Sequence, residues 1–251
     1  MTGPAAAGPV TAGPDPAGPP LAVPVPCDGT TRLLARAFLA RPSVEVAPGL
    51  LGCVLEHETA EGLVAVELTE VEAYSGHADP ASHAYRGMTA RNAVMFGEAG
   101  HAYVYFTYGM HFCVNVVCER AGVASAVLLR AGRVIDGADL AAVRRSARPP
   151  RAAEAVTSGT PDAGRRVTRD LARGPARLCQ ALGITRVHNG ADLCDPSSPL
   201  QLRVPAAAPA ARRVEAGPRG GVTAAAEVPW RYWLSGDPTV SVYRLHKKRA
   251  R

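Results

Sequence analysis

Hydrophobic and polar positions alternate with a period of two between residues 63 and 74. Apolar side chains occupy every second position at first, and two carboxylates and a tyrosine follow at the same spacing: Val64, Val66, Leu68, Glu70, Glu72 and Tyr74. Because successive side chains of a strand point to opposite faces, the pattern predicts a strand that carries all of these residues on one face. The two glutamates are therefore expected where a buried face emerges.

A second alternating region predicts a β-hairpin. Residues 101–108 and 111–118 have the pattern of two strands, and Gly109 and Met110 permit the turn between them. Aromatic residues make up only 5% of the chain, yet several fall together in the first of these strands. Alternation divides them between two faces, with Tyr103 and Tyr105 beside His101 on one and Phe106 and Tyr108 on the other. Tyr108 is expected next to the turn.

Other patterns predict helices and a further strand. They are a helix from Thr30 or Thr31 that ends at Pro42, a strand over residues 123–131, a helix capped by Asp136 that runs through Arg145, and a helix from Pro175 to Gly183. The strands indicate an antiparallel or mixed sheet.

One domain with tails accounts for the length. The chain has 251 residues, of which 47% are hydrophobic, and this is ample for one sizeable core. Residues 1–28 are rich in Pro, Gly and Ala, which predicts a disordered tail. The folded domain is expected over residues 29–245, with loop insertions without chemistry near 146–168 and 205–217, followed by a basic tail at 246–251.

The formal net charge of +6 favours a polyanionic partner, and nucleic acid is the commonest one. Arginine carries this charge, because Lys247 and Lys248 are the only lysines. The six cysteines form no Cys-x-x-Cys pair, which is typical of reduced thiols in a cytosolic protein. The sequence also lacks an apolar stretch of membrane-spanning length and a signal-peptide pattern, so we expect a soluble, intracellular protein without membrane contact.

Several familiar kinds of site are disfavoured. His111, Cys113 and Cys118 lack the knuckle spacing of a zinc site, and we expect no metal. A cysteine or serine nucleophile is disfavoured because no Gly-x-Ser-x-Gly elbow occurs and Cys113 lies within an apolar strand. Phosphate-binding glycine loops are absent as well, so nucleotide cofactors are not implied.

Carboxylates, aromatic rings and arginines together indicate a nucleic-acid groove. Paired carboxylates such as Glu70 and Glu72 are most often surface charge, and aromatic clusters are often ordinary core. Here, basic and polar residues flank both features, namely Arg86, Arg91, Asn92 and Arg130. This mixture is typical of a groove with surfaces on which bases stack. The residue types alone name no substrate.

Two segments resemble a known family. The run His83-Ala-Tyr-Arg-Gly-Met-Thr-Ala-Arg-Asn-Ala-Val-Met-Phe96 and the run Tyr103-Val-Tyr-Phe-Thr-Tyr-Gly-Met-His-Phe-Cys-Val-Asn115 are similar to the alkyladenine (3-methyladenine) DNA glycosylases of bacterial type, and Glu72-Ala-Tyr74 precedes them at the expected place. The similarity extends from about Leu33 to Val242 and includes Val127-Leu-Leu-Arg130, Gly174-Pro175, Leu178 to Ile184 and Pro229-Trp-Arg. The chain departs from the family pattern after Arg219, where Gly220 replaces a bulkier residue.

The resemblance implies a single α+β (mixed α/β) domain with a curved, mainly antiparallel sheet and a protruding hairpin, surrounded by helices. It implies no cofactor, and a monomer that acts in the cytoplasm, at the nucleoid, on double-stranded DNA containing damaged purines of the 3-methyladenine, 7-methylguanine, hypoxanthine and ethenoadenine class. Glu72 is implied as the base that activates water. The implied base-binding residues are Tyr74, His83, Tyr105 and Asn115, and the implied DNA-binding residues are Tyr108, Arg130, Arg91 and Asn92.

Two observations bear on the implied reaction. Glu70 and Glu72 are expected about 7 Å apart along the strand, so only one of them can address a given water, and we favour Glu72. A glycosylase with lyase activity needs an amine, and no lysine lies near this segment, so water is expected to be the nucleophile. Two other functions stay open: a non-catalytic nucleic-acid-binding protein on the same fold, and a hydrolase of free nucleosides.

Overall fold

The computed structural model describes residues 31–146, 168–205 and 212–243. Within these residues the strands form one antiparallel sheet, which confirms the α+β class with a mainly antiparallel sheet. The strands are β1 (Thr31–Leu33), β2 (Val54–Thr59), β3 (Gly62–Tyr74), β4 (Ala102–Thr107), β5 (His111–Val117), β6 (Ala126–Asp136), β7 (Leu200–Pro205), β8 (Val214–Gly217) and β9 (Arg231–Leu234). Their order is β1-β7-β2-β3-β6-β5-β4, and β9 pairs with both β3 and β8.

The α-helices that lie wholly within the described residues are α1 (Arg36–Leu39), α2 (Ser43–Leu50), α3 (Ala138–Ser146) and α4 (Pro175–Leu182), and short 3-10 helices lie at Gly76–Ala78, Ala93–Phe96 and Arg186–His188. Helix α2 packs on β3, and α4 packs on β5 and β6. Leu50, Leu68, Leu129 and Leu178 are fully buried between these helices and the sheet. The core thus covers one face of the central strands and leaves their other face to build a site.

Strand β3 confirms the strand expected over residues 63–74 but corrects the face on which its glutamates lie. The core side of β3 carries Val64, Val66, Leu68, Val71 and Ala73. The core positions change from even to odd numbers after Leu68, so Glu70 and Glu72 project from the opposite face. The expectation that they continue the face of Val64 is therefore wrong.

A β-bulge causes this change of face. Leu68 lies opposite Gly132 of β6, whereas Glu70 lies opposite the adjacent Ala131, which leaves Thr69 as an extra residue. The hydroxyl of the buried Thr69 is 2.7 Å from that of Thr239, so the bulged residue keeps a hydrogen-bond partner. A Cβ atom at Gly132 would lie 2.4 Å from a β3 carbonyl oxygen, and only glycine fits there.

The N-terminal helix and the helix after β6 differ from expectation. Thr31 to Leu33 pair with β7 as a strand, so helix α1 has only four residues, Arg36–Leu39, and does not start at Thr31. The backbone groups that a helix would have used are satisfied by the neighbouring strand. Asp136 ends β6 instead of capping α3, and Gly137 accepts the first helical hydrogen bond, from the amide of Ala141.

The predicted hairpin and the predicted helix at Pro175 are both confirmed. Strands β4 and β5 pair in register from Ala102 opposite Val116 to Thr107 opposite His111. Helix α4 starts at Pro175 and ends at Leu182, and Gly183 follows with a φ of 72°, the left-handed conformation of a helix C-cap.

The expected tails and insertions lie largely outside the described residues, which exclude 1–30, 147–167, 206–211 and 244–251. The second expected loop, at 205–217, is corrected at its end because β8 occupies residues 214–217 and pairs with β9. In the part of the chain that the structure describes, no helix is long and apolar enough to cross a membrane.

Candidate active site

A cavity of about 550 Å³ opens on the sheet face opposite the core, within the range of about 300–1,000 Å³ typical of small-molecule sites. Its walls come from distant parts of the chain. They include Tyr74 of β3, Pro80, Ala81 and His83, then Tyr103, Tyr105 and Asn115 of the hairpin, Leu128 and Arg130 of β6, Pro175 and Ala176 of α4, and the loop from Gly220 to Ala224. Alternation along the hairpin produces this arrangement, since Val104 and Val114 enter the core and their neighbours face the cavity.

His83, Tyr103 and Tyr105 form one aromatic wall. The rings of His83 and Tyr105 meet edge to face with centroids 4.5 Å apart, and Nδ1 of His83 lies 3.0 Å from the hydroxyl of Tyr103. Burial, and then the charge of Arg91, lower the pKa of His83, so its ring is neutral at pH 7. Burial raises the pKa of both tyrosines. The wall therefore offers uncharged faces and uncharged hydrogen-bonding groups.

Glu72 lies directly behind the cavity lining, and its side chain has no exposed surface. Its Oε1 accepts the backbone N–H of Gly220 at 2.7 Å and lies 3.1 Å from the guanidinium of Arg130. Its Oε2 accepts the hydroxyl of Tyr74 at 2.8 Å. Each carboxylate oxygen has two lone pairs, so Oε2 retains acceptor capacity that Oε1 has used. Oε2 can therefore accept one further hydrogen bond.

Glu70 is equally buried, but of its three partners only Arg130 lines the cavity. Oε1 accepts Nε of Arg130 at 2.8 Å, Nε of Arg231 at 2.7 Å and the hydroxyl of Ser241 at 2.9 Å. Oε2 accepts the backbone N–H of Ser241 at 2.7 Å. Although burial opposes the charge, the two arginines and the bonds from Ser241 hold the pKa of Glu70 below its usual range. Glu70 thus ties β3 to β6, β9 and Ser241.

Arg130 lies between the two glutamates. The register of β6 leaves it without an opposite residue on β3, because Ala131 faces Glu70 and Leu129 faces Val71. Its side chain is only 13% exposed, and despite the cost of burial the neighbouring carboxylates raise its pKa. The guanidinium therefore forms ion pairs with both glutamates, and Arg130 also lines the cavity. We call Glu70, Glu72 and Arg130 the cavity floor.

Tyr108 lies at the tip of the hairpin, as expected, and also borders the cavity. It is 74% exposed, and its φ of 51° is left-handed, as is the φ of 66° at Gly109. A bulky residue in this conformation costs about 1–3 kcal/mol, and such strain concentrates at functional sites. The turn closes through a hydrogen bond from the amide of Met110 to the carbonyl of Thr107.

The two expected asparagines have different positions. Asn115 lines the cavity from β5 and donates its amide to the carbonyl of Tyr103 at 3.0 Å. Asn92 is 2% exposed, and its side chain bonds to Thr89, His83 and Gly87 within its own loop. The expected direct contact of Asn92 with DNA is therefore corrected, because this side chain organises the segment that carries His83.

Arg91 is exposed beside the aromatic wall. Its guanidinium lies 5.7 Å from the ring centroid of Tyr105 and 3.5 Å from the carbonyl of Phe106. This position leaves the charge accessible at the mouth of the cavity. The DNA-binding role expected of Arg91 stays a prediction.

The sequence did not identify three residues of the site. Gly220 contacts Glu72 through its backbone, and Arg219 and Asp79 form a fully buried ion pair beside Tyr74. Asp79 and Arg219 are 140 positions apart, so no local pattern could join them. The available signal was the departure from the family pattern at Gly220.

Residues 37–238 match the family described as Methylpurine-DNA glycosylase (MPG). Relatives named "Putative 3-methyladenine DNA glycosylase" from Streptomyces avermitilis, Leifsonia xyli and Frankia casuarinae are 50%, 53% and 48% identical over 220, 215 and 213 residues. These matches cover 87%, 84% and 81% of this chain, and 95%, 92% and 90% of the respective relatives. They confirm the resemblance inferred from the motifs around Glu72, His83 and Tyr105. The chain belongs to the methylpurine-DNA glycosylase family.

Proposed function

We propose that this protein removes alkylated or deaminated purines from duplex DNA by hydrolysing the bond between base and sugar, with Glu72 as the base that activates water. Family membership supports the coarse activity, a DNA glycosylase. The proposal adds the nucleophile, the catalytic side chain and the substrate class. It rests foremost on one observation: the three partners of Glu72, namely Tyr74, Arg130 and Gly220, all line the aromatic cavity, so Glu72 lies directly behind its lining.

The floor suits the expected transition state. Cleavage of a glycosidic bond passes through a sugar with oxocarbenium character, which a nearby carboxylate stabilises electrostatically. Oε2 of Glu72 can hold a water while Oε1 is fixed by Gly220 and Arg130. The carboxylate is therefore held in place before the reaction starts, and little reorganisation is required.

Water, and not an amine, is the proposed nucleophile. A Schiff base with the sugar requires a lysine or a free amino group. The only lysines of the sequence are Lys247 and Lys248, and residues 31–243 contain none. We therefore expect base release without strand cleavage by the protein.

The aromatic wall supports a damaged purine as the ligand. Alkylated purines are electron-poor or cationic, and they stack favourably on electron-rich rings such as that of Tyr105. The neutral imidazole of His83 and the amide of Asn115 supply hydrogen-bonding groups without a competing charge. Discrimination between bases then depends on shape and hydrogen bonding.

A base inside a duplex cannot reach this cavity unless its nucleotide rotates out of the helix, at a cost of a few kcal/mol. Tyr108 is placed to compensate for that cost. Its ring projects from the hairpin at the mouth of the cavity, where it can fill the space that the base leaves.

Glu72→Gln tests the proposal. We expect the variant to bind a duplex containing hypoxanthine with nearly unchanged affinity, and to release the base about 10²–10⁴-fold more slowly in single-turnover assays. Glu67→Gln is the matched control, because Glu67 is also a buried β3 glutamate but pairs with Arg133 and Arg212 instead of lying behind the cavity lining.

Single-turnover release at the wild-type rate by Glu72→Gln would refute the role of Glu72. A wild-type protein that binds the duplex and releases no base would instead indicate a non-catalytic binding protein. Release from free nucleosides without binding to duplex DNA would indicate a nucleoside hydrolase.

A further inference from the structure

We propose that Asp79 and Arg219 are positioning residues for the reaction, because their buried ion pair holds Tyr74 and the N–H of Gly220 in the places from which they orient Glu72. This inference rests on the proposed function, since it takes Glu72 as the base. Asp79 and Arg219 would act through Tyr74 and Gly220, without contacting the substrate or the water.

The pair is fully enclosed. The side chains of Arg219 and Asp79 have no exposed surface, and the guanidinium makes a two-pronged contact with the carboxylate at 2.5 and 2.8 Å. Burial opposes the charge of the guanidinium, but its bonds to Asp79 raise the pKa of Arg219. A planar fork of this kind fixes orientation as well as distance.

Each partner also anchors the backbone on its own side of the cavity. Arg219 donates to the carbonyls of Ala73 in β3 and Ala225 in the loop, at 3.0 Å in both cases. Asp79 accepts the backbone N–H of Ala81 at 3.0 Å. Ala81 and the loop from Gly220 to Ala224 both line the cavity. The pair therefore joins two walls of the cavity to the strand that carries Glu72.

Two connections lead from Arg219 to Glu72, one to each carboxylate oxygen. The guanidinium lies 4.8 Å from the ring centroid of Tyr74, and the hydroxyl of that ring donates to Oε2. Gly220 follows Arg219 directly in the chain, and its N–H donates to Oε1. A shift of Arg219 would consequently move the donors of both oxygens together.

The pair is an inefficient way to stabilise a fold. Buried ion pairs lose much of their attraction to desolvation, and apolar residues of similar volume often serve stability as well. Among the described residues, Nε of Arg219 also has no hydrogen-bond partner, which adds to the cost. A charged pair with two parallel hydrogen bonds fixes the orientation of its side chains, which an apolar pair does not.

Arg219→Lys and Asp79→Asn test the proposal in the full-length protein. A lysine keeps the charge but loses the fork, and an asparagine keeps the shape but loses the charge. We expect single-turnover release of hypoxanthine from duplex DNA to slow by about 10–100-fold, as small misplacements of catalytic groups do, while affinity for the duplex changes less than about threefold. Arg133→Lys is the matched control, because Arg133 pairs with Glu67 outside the cavity lining and should keep the wild-type rate.

A merely structural role predicts a different result. Partial unfolding lowers the fraction of protein that reacts, but the folded fraction then reacts with the wild-type rate constant. We expect the reverse, with an unchanged reacting fraction and a reduced rate constant. A wild-type rate constant in Arg219→Lys and Asp79→Asn would overturn the proposal.

The amide resonance of Gly220 gives a readout that does not depend on activity. In Arg219→Lys we expect it to shift in the same direction as in Glu72→Gln, because both changes weaken the bond from this N–H to the carboxylate. An unmoved resonance would also overturn the positioning role. If Glu72→Gln kept full activity, the proposed function would fail, while this resonance would still report whether Arg219 positions Gly220.

Discussion

At the cavity floor, Glu70 and Glu72 are buried and both pair with Arg130, whereas at the hairpin tip Tyr108 is 74% exposed and has a strained backbone. Both regions border the same cavity through Arg130 and Tyr108. The floor holds its groups by charge and hydrogen bonds in the interior. The tip presents the aromatic ring of Tyr108 to solvent, and the left-handed backbone of this residue is strained.

The difference separates two requirements of the proposed reaction. A catalytic carboxylate must be fixed before the substrate arrives, so burial and multiple donors serve it. A side chain that enters the DNA stack must be available outside the fold, so burial would defeat it. Variants of the floor are therefore expected to affect stability and the chemical step, and variants of the tip to affect binding and extrusion.

Glu70→Gln should have the largest effect on stability. The change leaves Arg130 and Arg231 buried without their shared counter-ion, and breaking a buried pair in this way costs about 3–5 kcal/mol. Glu72→Gln should cost clearly less, because Glu72 pairs with Arg130 alone and through one contact. Urea denaturation of both variants gives the two free energies of unfolding. Equal losses would contradict the division between a structural and a catalytic glutamate.

Tyr108→Ala should leave the free energy of unfolding within about 0.5 kcal/mol of wild type, because the side chain is exposed. We expect it to weaken binding to duplex DNA containing hypoxanthine by about 1–2 kcal/mol, the size of one lost stacking contact. The loss should be smaller when the lesion is mismatched, since less stacking has to be broken. Titration of both duplexes by fluorescence anisotropy measures the two affinities.

Met110→Ala is the control for the tip, because Met110 lies in the same turn and is 54% exposed. It should bind more tightly than Tyr108→Ala. Equal losses for the paired and mismatched lesions in Tyr108→Ala would argue against a wedge.

The smallest effect concerns pH. Burial, followed by Arg91, holds the pKa of His83 below the ordinary value of 6.5, so the ring is neutral above that pH and gains a proton only at lower pH. We expect base release to fall as the pH drops below 6.5, by about fivefold, because a charged ring loses one acceptor at the wall. His83→Gln cannot titrate and should lack this decline in single-turnover profiles. A parallel decline in both proteins would assign the titration elsewhere.

Local patterns predicted the strands around Glu72 and Tyr105 and the helix from Pro175, because period-two alternation and capping residues act over a few positions. They failed at Thr31 to Leu33, where pairing with the distant β7 replaced a helix. They also failed to place Glu70 and Glu72 on the correct face. A single bulged residue, Thr69, decides that face, and no periodicity reveals where a bulge falls.

At the site, the motifs led to His83, Tyr105 and Asn115, all of which line one cavity. The partners of Glu72 were harder to find, since Gly220 contributes only a backbone N–H, which carries no residue signature. For Asn92, the family resemblance implied a DNA contact. Its burial depends on the fold of its own loop, which composition does not encode.

The bulge at Thr69 also has a consequence for protein engineering. Deleting that one residue would let Glu70 follow Leu68 directly, so Glu70 and Glu72 would keep the cavity face while Val71 and Ala73 stayed in the interior. Grafting residues 64–74 with Thr69 onto a strand that pairs without a bulge would instead place Glu70 and Glu72 on the same face as Val64, Val66 and Leu68, in the interior of the new scaffold. The transferable unit is this segment together with its bulge and the glycine opposite, Gly132.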